Sequence, residues 1–327
     1  MSARAEILLV SLGSTAGLRA SDAELCASLE RAGASVELVA AAPPRPLRTL
    51  ALTDLGWAFA ARAAARAALP AVRPRAVLYS TITAALLAPA RGAVRFDALA
   101  AANRPGRHGV WQRPRERAVL ARAPLLLPVS REALAGAPAR HGPVVVVPIA
   151  VERSGPLLGA GERDIAAITY AADAHKKGLD RVLAAWALAR RDEEELLVAG
   201  GAPVPAAPGV RALGALERSE YRALLRRARI FLAAPRREEH GIAQLEALAD
   251  GAALVTGDSD LEYPALAPAR AADPRLTRGE LAAAIRIALD DPRPGYAEAV
   301  APLLEPHRAA SIDRIVAEEV LPRLLGG

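Results

Sequence analysis

Residues 236–251 read RREEHGIAQLEALADG, and they are the most informative part of the sequence for the fold. The apolar run at residues 230–234 comes directly before it and is typical of a buried parallel strand. After it, apolar residues recur with helical spacing from Ile242 to Ala249, and Gly251 is the expected C-cap of that helix. The chain therefore passes from strand through loop to helix, which is the repeating unit of doubly wound α/β sheets.

Two carboxylates lie in this unit, eight residues apart. Glu238 is expected at the carboxyl end of the strand, where ligands of open α/β sheets collect. Gly241 lets the backbone approach a ligand closely, and the free N–H groups at the start of the helix attract an anion. Glu246, about one turn into the helix, can accept hydrogen bonds from hydroxyl groups. The combination suits a ligand that carries both phosphates and sugar hydroxyls.

The stretch resembles the E-x7-E signature of retaining glycosyltransferases with the GT-B fold, most closely those of family 4. The usual text of that signature is Glu-Gly-Phe-Gly-(apolar)-x-x-Leu-Glu-Ala-x-Ala-x-Gly. In this sequence Glu239 and His240 replace the usual Gly and Phe. The positions that match are Glu238, Gly241, Ile242, Leu245, Glu246, Ala247, Ala249 and Gly251.

The resemblance implies a role for several of these positions. Glu246 is expected to bind the donor ribose, and Glu238 is expected to bind hydroxyls of the donor sugar. The backbone N–H groups near Gly241, Ile242 and Ala243 are expected to help hold the diphosphate. Because enzymes of this kind are thought to use a diphosphate oxygen to deprotonate the acceptor, no protein nucleophile is expected.

Lysine occurs only as Lys176 and Lys177, whereas the other 40 basic residues are arginine. The two lysines follow a predicted strand and open a helix, and the segment resembles the Lys-Gly-(apolar)-Asp motif of the family. Lys177 then takes the phosphate-binding place, where a compact ammonium would neutralise the departing diphosphate. The family usually has an arginine five positions earlier, where this chain has Ala172, so we expect Arg236 or Arg237 to supply the second phosphate contact.

Three further segments bear on the donor site. Gly200 follows a predicted strand and resembles the Gly-x-Gly turn of the family, and Leu213 ends the strand that would meet the nucleobase. Residues 258–260 match the D-x-D motif of metal-dependent GT-A transferases, but we interpret them as a loop, since GT-B enzymes do not need that motif. No other group has metal-ligand spacing. We therefore expect no metal and no cofactor beyond the nucleotide-diphosphate sugar itself.

The first half offers an incomplete glycine-rich turn, which includes Gly13 and Ser14, after its first strand. It is not a full G-x-G-x-x-G, so it is weak support for a dinucleotide fingerprint. In the family this turn lines the cleft between the domains and faces donor phosphate or acceptor.

A second loop region follows the predicted strand at residues 94–96. The family often has a His-Asp pair there, facing the acceptor sugar, and in this chain Phe96 stands in the His place and only Asp97 matches. Asp97 is therefore the catalytic residue that the resemblance implies on this side. His108 and Asn103 are candidate acceptor contacts, although a plain loop histidine is the commoner reading of His108.

Composition favours a cytoplasmic protein of two domains. The chain has 327 residues, 52% of them apolar, without a long uncharged apolar run or the features of a signal peptide. A single cysteine, Cys26, excludes a disulfide framework. The net charge of +6 is uneven, because residues 1–150 carry 19 Arg against 9 Asp and Glu. That excess favours an anionic membrane surface or a phosphate-bearing acceptor, or simply reflects an arginine-rich surface. No mixture of basic and aromatic residues indicates nucleic acid.

Short apolar runs alternate with helical patterns along the whole chain, which predicts parallel sheets. The predicted strands are 7–12, 36–40, 77–80, 94–96, 125–129, 144–148, 165–170, 196–199, 210–213, 230–233 and 253–256. The predicted helices are 20–32, 54–68, 113–122, 179–190, 219–227, 242–249, 277–289 and an amphipathic tail at 312–325. Thr277 and Glu280 predict a capping box at the start of the helix 277–289.

The predicted fold is α/β of GT-B type, with two Rossmann-like domains facing each other across a cleft. Residues 1–152 form the acceptor-side domain, 153–310 form the donor-binding domain, and the helix 311–327 packs back on the first. The predicted function is that of a retaining glycosyltransferase, which moves a hexose-type sugar from a nucleotide-diphosphate sugar to a hydroxyl of a glycan or lipid-linked acceptor.

Other functions stay open at this point. A GT-B epimerase or phosphorylase would share the fold. A degenerate transferase that only binds nucleotide sugars is favoured by the departures from the family at Phe96, Ala172 and Ile149. A Rossmann oxidoreductase is a weaker alternative, because it leaves the two glutamates unexplained.

Overall fold

The computed structural model describes residues 5–45, 49–104, 106–258 and 262–326. Contacts divide the chain into two compact units. The first unit comprises Met1–Ala150 with Ala309–Gly327, and the second unit comprises Val151–Arg308. The chain passes from one unit to the other twice, at residues 150–151 and 308–309.

The first unit contains a sheet of five parallel strands in the order β2-β1-β3-β4-β5. The strands are β1 Ile7–Ser11, β2 Val36–Ala40, β3 Ala76–Tyr79, β4 Ala93–Phe96 and β5 Leu126–Pro128. The helices are α1 Ala16–Arg31, α2 Leu50–Val72, α3 Ile82–Ala85, α4 Ala100–Asn103 and α5 Gln112–Arg122, with 3₁₀ turns at Gly106–Gly109 and Glu132–Leu134. Because helices cover both faces, the central strands are apolar along their whole length, and β1 is buried at every position.

The second unit contains another sheet of five parallel strands, in the order β10-β9-β6-β7-β8. The strands are β6 Ile165–Tyr170, β7 Leu196–Ala199, β8 Val210–Gly214, β9 Ala228–Leu232 and β10 Ala253–Val255. The helices are α6 Leu179–Ala189, α7 Arg218–Arg227, α8 Ile242–Ala249, α9 Leu266–Ala272, α10 Leu281–Asp290 and α11 Tyr296–Val300, with 3₁₀ turns at Ala160–Glu162, Pro274–Thr277 and Ala301–His307. This is the Rossmann strand order. The strands are added in one direction from β6 to β8 and in the opposite direction from β9 to β10, so the winding of the sheet reverses between β6 and β9. The two predicted Rossmann-like sheets are therefore confirmed.

The C-terminal segment belongs to the first unit. It runs as α12 Ala309–Ile315, a π-helical turn Val316–Val320 and α13 Leu321–Leu325. Its apolar residues Ile312, Val316 and Val320 join the core on the α1 side of the first sheet. Arg31 of α1 fastens the contact by donating to the Asp313 carboxylate from Nε at 2.8 Å.

Two local predictions are wrong. Residues 144–148 run beside β5, and the N–H groups of Val145 and Val147 donate to the carbonyls of Leu126 and Pro128. The ladder is nevertheless reduced to the isolated bridge between Leu126 and Val144, since Pro128 of β5 has no N–H to donate in return. The helix expected from Thr277 begins at Leu281, because Gly279 has a φ of +68° that a helix cannot accommodate.

The capping box therefore lies elsewhere. The Thr277 hydroxyl donates to the Pro274 carbonyl, within a 3₁₀ turn. A capping box is present instead at the start of α7, between Glu217 and Glu220.

Among the residues that the structure describes, none of the helices combines the length and the apolarity that a membrane crossing requires.

Candidate functional site

The candidate site lies in the second unit, at the carboxyl ends of β6 and β9. Lys177 and Gly178 follow β6, residues 236–241 follow β9, and the sheet reverses its winding between these two strands. The two loops touch, since the Arg236 N–H donates to the Lys176 carbonyl at 2.9 Å. Gly178 adopts a φ of +64°, and a Cβ there would lie 1.9 Å from the carbonyl oxygen of residue 234. Only glycine fits where these loops meet.

Glu238 is held by three donors. The Lys177 ammonium lies 2.5 Å from Oε2, the Gln244 amide donates to the same oxygen at 3.0 Å, and the Gly241 N–H donates to Oε1 at 3.3 Å. The Glu238 side chain is 5% exposed. The structure therefore brings together Lys177 and Glu238, two residues that the sequence places 61 positions apart.

The second lysine makes a parallel contact. Lys176 lies 2.6 Å from Glu239, whose other oxygen lies 2.7 Å from Arg237. Burial raises the pKa of Glu239, but Lys176 and Arg237 more than offset it, so that pKa lies below the ordinary value. Both lysines of the chain thus face carboxylates of the loop after β9.

Glu246 is buried on α8 and faces α7. Its Oε1 accepts from Arg218 at 2.7 Å and from Arg222 at 3.5 Å. Burial raises the pKa of Glu246 above its ordinary value, although the charges of Arg222 and Arg218 oppose that shift. The arginines therefore favour the charged form of a carboxyl group whose burial disfavours it.

Besides Glu246, Arg222 has two further hydrogen-bond partners. Its Nε donates to Asp250 at 2.6 Å, and its Nη2 donates to the Glu152 carbonyl at 2.6 Å. The other oxygen of Asp250 accepts from the N–H and the hydroxyl of Ser154. The buried network thus runs from Glu246 to residues 152–154, which directly follow the passage of the chain out of the first unit.

Gly241 begins α8 with a φ of +76°, and a Cβ there would lie 2.7 Å from the Tyr263 ring. Ile242 and Ala243 form the first turn of α8. Burial raises the pKa of Tyr263, and the charge of Glu238 adds to that shift. Tyr263 and Gln244 are residues that the motif did not single out.

Arg236 and Arg237 turn toward carboxylates. Arg236 grips Asp180 with both terminal nitrogens, at 2.6 and 2.5 Å, and holds the pKa of that carboxyl well below its usual range. Arg236 also borders an open cavity of about 550 Å³ on the α6–α10 side of the sheet, with Arg181, Thr256, Asp258 and Glu280. Arg236 would therefore have to exchange its ion pair with Asp180 for a phosphate in order to supply the expected second phosphate contact.

Gly200 and Leu213 lie at the same edge of the sheet. Gly200 follows β7 with a φ of +110°, and a Cβ there would lie 2.6 Å from the backbone of residue 171. Leu213 is the penultimate residue of β8 and is half-buried. Both therefore lie where strands of the second sheet end, and their contact with a donor stays a prediction.

The candidates of the first unit lie on separate loops. Gly13 and the exposed Ser14 follow β1, and the exposed Asp97 follows β4. Asn103 ends α4, and the half-buried His108 lies in the 3₁₀ turn Gly106–Gly109. Their grouping into an acceptor site stays a prediction.

Within the described ranges, no three His, Cys, Asp or Glu side chains come together as a metal site requires. Asp258 of the D-x-D tripeptide lies in a described loop, whereas Ser259 and Asp260 lie outside the described residues.

Part of the second unit matches a known family. Residues 164–291, which include the loops after β6 and β9 and all of α7 and α8, match the family described as glycosyl transferases group 1. No curated protein matches the chain.

Solved structures match both units. Sucrose-phosphate synthase from Thermosynechococcus elongatus is similar over 98% of this chain and 99% of its own, with 14% identity and a TM-score of 0.73. WaaG, a glycosyltransferase involved in lipopolysaccharide biosynthesis, is similar over 98% and 100%, with 16% identity and a TM-score of 0.66. HepE from Anabaena, in complex with UDP and glucose, is similar over 97% and 99%, with 13% identity and a TM-score of 0.65.

The chain has the GT-B fold, and residues 164–291 of its second unit carry the match to glycosyl transferases group 1. The predicted fold and class of enzyme are thereby confirmed. Membership of family 4, retention of configuration and independence from metal stay predictions, as do the roles of the individual site residues.

Proposed function

We propose that this glycosyltransferase moves a hexose-type sugar from a nucleotide-diphosphate sugar to an acceptor hydroxyl, with retention of configuration. The observation that carries the proposal is the contact of Lys177 with Glu238 at the switch point of the second sheet, beside the start of α8. A cation, a carboxylate and free helix N–H groups at one place suit a ligand with phosphates and hydroxyls. HepE, a structural neighbour, is known with UDP and glucose bound, which supports a nucleotide sugar as donor.

The donor would lie along the carboxyl edge of the second sheet. Its diphosphate would accept from the N–H groups of Ile242 and Ala243, and Lys177 would neutralise the charge that develops as the bond from sugar to phosphate breaks. Glu238, held by Gln244 and Gly241 while Lys177 shifts to phosphate, would accept hydrogen bonds from the sugar. The acceptor oxygen would form the new bond to the anomeric carbon and lose its proton to the leaving diphosphate.

A nucleotide screen tests this proposal. Thermal unfolding would be measured with UDP, GDP, ADP and dTDP, since a ligand at 100 times its dissociation constant adds about 2.7 kcal/mol. One nucleotide should raise the melting temperature, and Lys177→Ala and Glu246→Ala should reduce the shift. Lys176→Ala and Glu262→Ala are the matched controls and should keep it.

Transfer itself is a second readout. With the sugar nucleotide of the base that binds, hydrolysis or transfer should be detectable, and the anomeric configuration of the product should equal that of the donor. Binding without any turnover would favour a nucleotide-sugar-binding scaffold. No shift with any nucleotide would contradict the donor site.

We also propose that the acceptor is a glycan or a lipid-linked precursor and that the protein works in the cytoplasm, at the inner face of the membrane. Four large apolar side chains of the first unit are about half exposed or more, and α2 carries three of them. These four, which we call the α2 patch, are Leu50, Leu52, Phe59 and Val110. The Trp111 indole N–H donates to the Ala51 carbonyl at 3.1 Å, which holds Val110 close to the start of α2.

The charge around the α2 patch favours an anionic bilayer. Residues 38–115 contain twelve arginines but only two acidic residues. One of these, Asp54, is buried and paired with Arg104 at 2.6 Å. Apolar side chains flanked by an excess of arginines over acidic residues are the features of surfaces that bind anionic lipid.

Vesicle flotation tests the membrane contact. The protein should float with vesicles of phosphatidylcholine and phosphatidylglycerol but not with phosphatidylcholine alone, and salt should weaken binding. Phe59→Ser should reduce flotation, whereas Leu188→Ser, at the 83% exposed leucine of the second unit, should not. If Phe59→Ser instead converts a dimer to a monomer, the α2 patch binds a second copy of the chain.

A further inference from the structure

The two oxygens of the Glu246 carboxylate have different surroundings. Oε1 accepts from Arg218 at 2.7 Å and from Arg222 at 3.5 Å. In the part of the chain that the structure describes, no hydrogen bond to Oε2 is present. The Glu246 side chain is 8% exposed, so a small part of this carboxylate reaches solvent. The protein therefore occupies one oxygen and leaves the other as an acceptor.

The two arginines are held in unequal ways. Both lie on α7, one turn apart, but the Arg222 side chain is 7% exposed and is fixed by Asp250 and the Glu152 carbonyl. The Arg218 side chain is 55% exposed, and Glu246 is the carboxylate that it contacts. Arg218 can consequently be replaced without opening the core, whereas Arg222 cannot.

We propose that Arg218 is a specificity-determining residue, which occupies Oε1 of Glu246 and restricts that carboxylate to one hydroxyl of the nucleotide ribose. The inference rests on the proposed function, in which Glu246 binds the ribose. A carboxylate with both oxygens open can accept from the 2′- and the 3′-hydroxyl together. With Arg218 in place only Oε2 is open, and the site reads a single hydroxyl.

The geometry also explains why the sequence uses arginine here. A guanidinium donates through several N–H groups in a fixed plane and keeps its charge at all relevant pH values. Arg218 lies in the first turn of α7, where its side chain can cross to α8, and Arg222 on the same face supports the same oxygen. The pair thus fixes the direction in which Oε2 points.

The test uses nucleotides that lack one hydroxyl. Dissociation constants would be measured for UDP, GDP and ADP, and then, for each base that binds, for its 2′-deoxy and 3′-deoxy forms. With the natural protein, removal of one hydroxyl should weaken binding about 10- to 100-fold, as for a lost hydrogen bond to a charged group, and removal of the other should change it less than about 3-fold. In Arg218→Met, which has no N–H to donate, removal of either hydroxyl should weaken binding by more than about 5-fold.

Two further variants separate specificity from general damage. Arg218→Lys, which can still donate to Oε1, should restore the single-hydroxyl pattern. Arg211→Gln, at an exposed arginine paired with Glu195 on β8, should leave the pattern unchanged.

The outcomes separate the inference from the proposed function. If the natural protein responds equally to the loss of either hydroxyl, or if Arg218→Met keeps the single-hydroxyl pattern, the inference is overturned while the donor site stands. If both deoxy forms bind as tightly as the parent nucleotide, Glu246 does not bind ribose and the inference is overturned. If neither these three nucleotides nor dTDP binds to the folded protein, the proposed function fails and the inference fails with it.

Discussion

Each unit buries one arginine against one aspartate, but the two pairs are built differently. In the second unit, Arg222 donates to Asp250 at 2.6 Å, and Ser154 satisfies the other aspartate oxygen. In the first unit, Arg95 on β4 lies 3.8 Å from Asp22 on α1, too far for a hydrogen bond. One pair is saturated by its neighbours, and the other is held by charge alone.

The looser pair lies where the winding of the first sheet reverses. Ser11 ends β1 and donates to Asp22, and Ser80 directly follows β3. Arg95 donates to Ser21, but its Nε has no hydrogen-bond partner in the described ranges, and the same holds for Oδ1 of Asp22 and the Ser80 hydroxyl. Because its hydrogen bonds are complete, the tight pair is expected to stabilise the second unit and to orient Glu246 through Arg222, whereas the loose pair should contribute much less to stability.

Replacement of Asp250, the partner of Arg222, is expected to cost the most stability. Asp250→Asn should lower the free energy of unfolding of the second unit by about 3–5 kcal/mol, because it leaves the buried Arg222 charge without its partner. Asp22→Asn should lower that of the first unit by about 1 kcal/mol or less, since an amide oxygen still accepts from Ser11. Denaturation would be followed through Trp186 in the second unit and through Trp57 and Trp111 in the first.

An equal or larger loss for Asp22→Asn would contradict the comparison. Since two units need not unfold together, each variant is compared with the natural protein through the tryptophans of its own unit. Asp164→Asn, at an exposed partner of Arg227, serves as the control and should change stability little.

A smaller loss of stability is expected from replacing the glycine in the loop after the first strand of each unit. Gly178 and Gly13 have similar φ values, +64° and +59°. A Cβ at Gly178 would overlap the carbonyl oxygen of residue 234, whereas at Gly13 the nearest atom would be 3.7 Å away. Gly178→Ala should therefore cost about 3 kcal/mol and weaken nucleotide binding, and Gly13→Ala should cost about 1 kcal/mol, from its backbone alone.

Thermal unfolding and nucleotide titration of the two variants measure this difference. Equal destabilisation would mean that the loop after β9 can move away from Gly178, and the close contact between the two loops would then not be a fixed part of the site.

The fold could be predicted from the sequence because its signals are local. Runs such as β1 and β6 are apolar at nearly every position, as strands with both faces covered must be. Residues 144–148 have the same composition, and the prediction failed there because Pro128 of the neighbouring strand β5 cannot donate to the ladder. Gly279 likewise moved the start of α10 through a backbone angle that residue type alone only suggests.

The candidate site divides along the same line. Glu238, Gly241 and Glu246 follow from spacing within one strand-loop-helix unit. The contact of Arg218 with Glu246 joins two helices 28 residues apart, and no local pattern marks it. The role of Gln244 could not be predicted either. Its amide donates to Glu238, and the sequence alone does not show that these two side chains meet.

The smallest expected effect is a change with pH in the contribution of Asp22 to stability. Burial raises the pKa of Asp22, although Ser11, Arg95 and Ser80 oppose the shift. A carboxyl whose pKa is higher in the folded protein adds stability below its unfolded pKa of about 3.9, and that contribution is lost as pH rises through the folded value. The melting temperature of Asp22→Asn, relative to the natural protein, should therefore rise as pH is raised from about 4 toward 7.

Asp313 provides the opposite case in the same unit, because Arg31 lowers the pKa of its carboxyl. Its contribution is present above the unfolded pKa and is lost on acidification, so Asp313→Asn should lose stability relative to the natural protein over the same rise in pH. Parallel trends for the two variants would mean that Asp22 is as well paired as Asp313. The pair of Arg95 and Asp22 would then stabilise the first unit as the pair of Arg222 and Asp250 stabilises the second, and the two units would not differ in this respect.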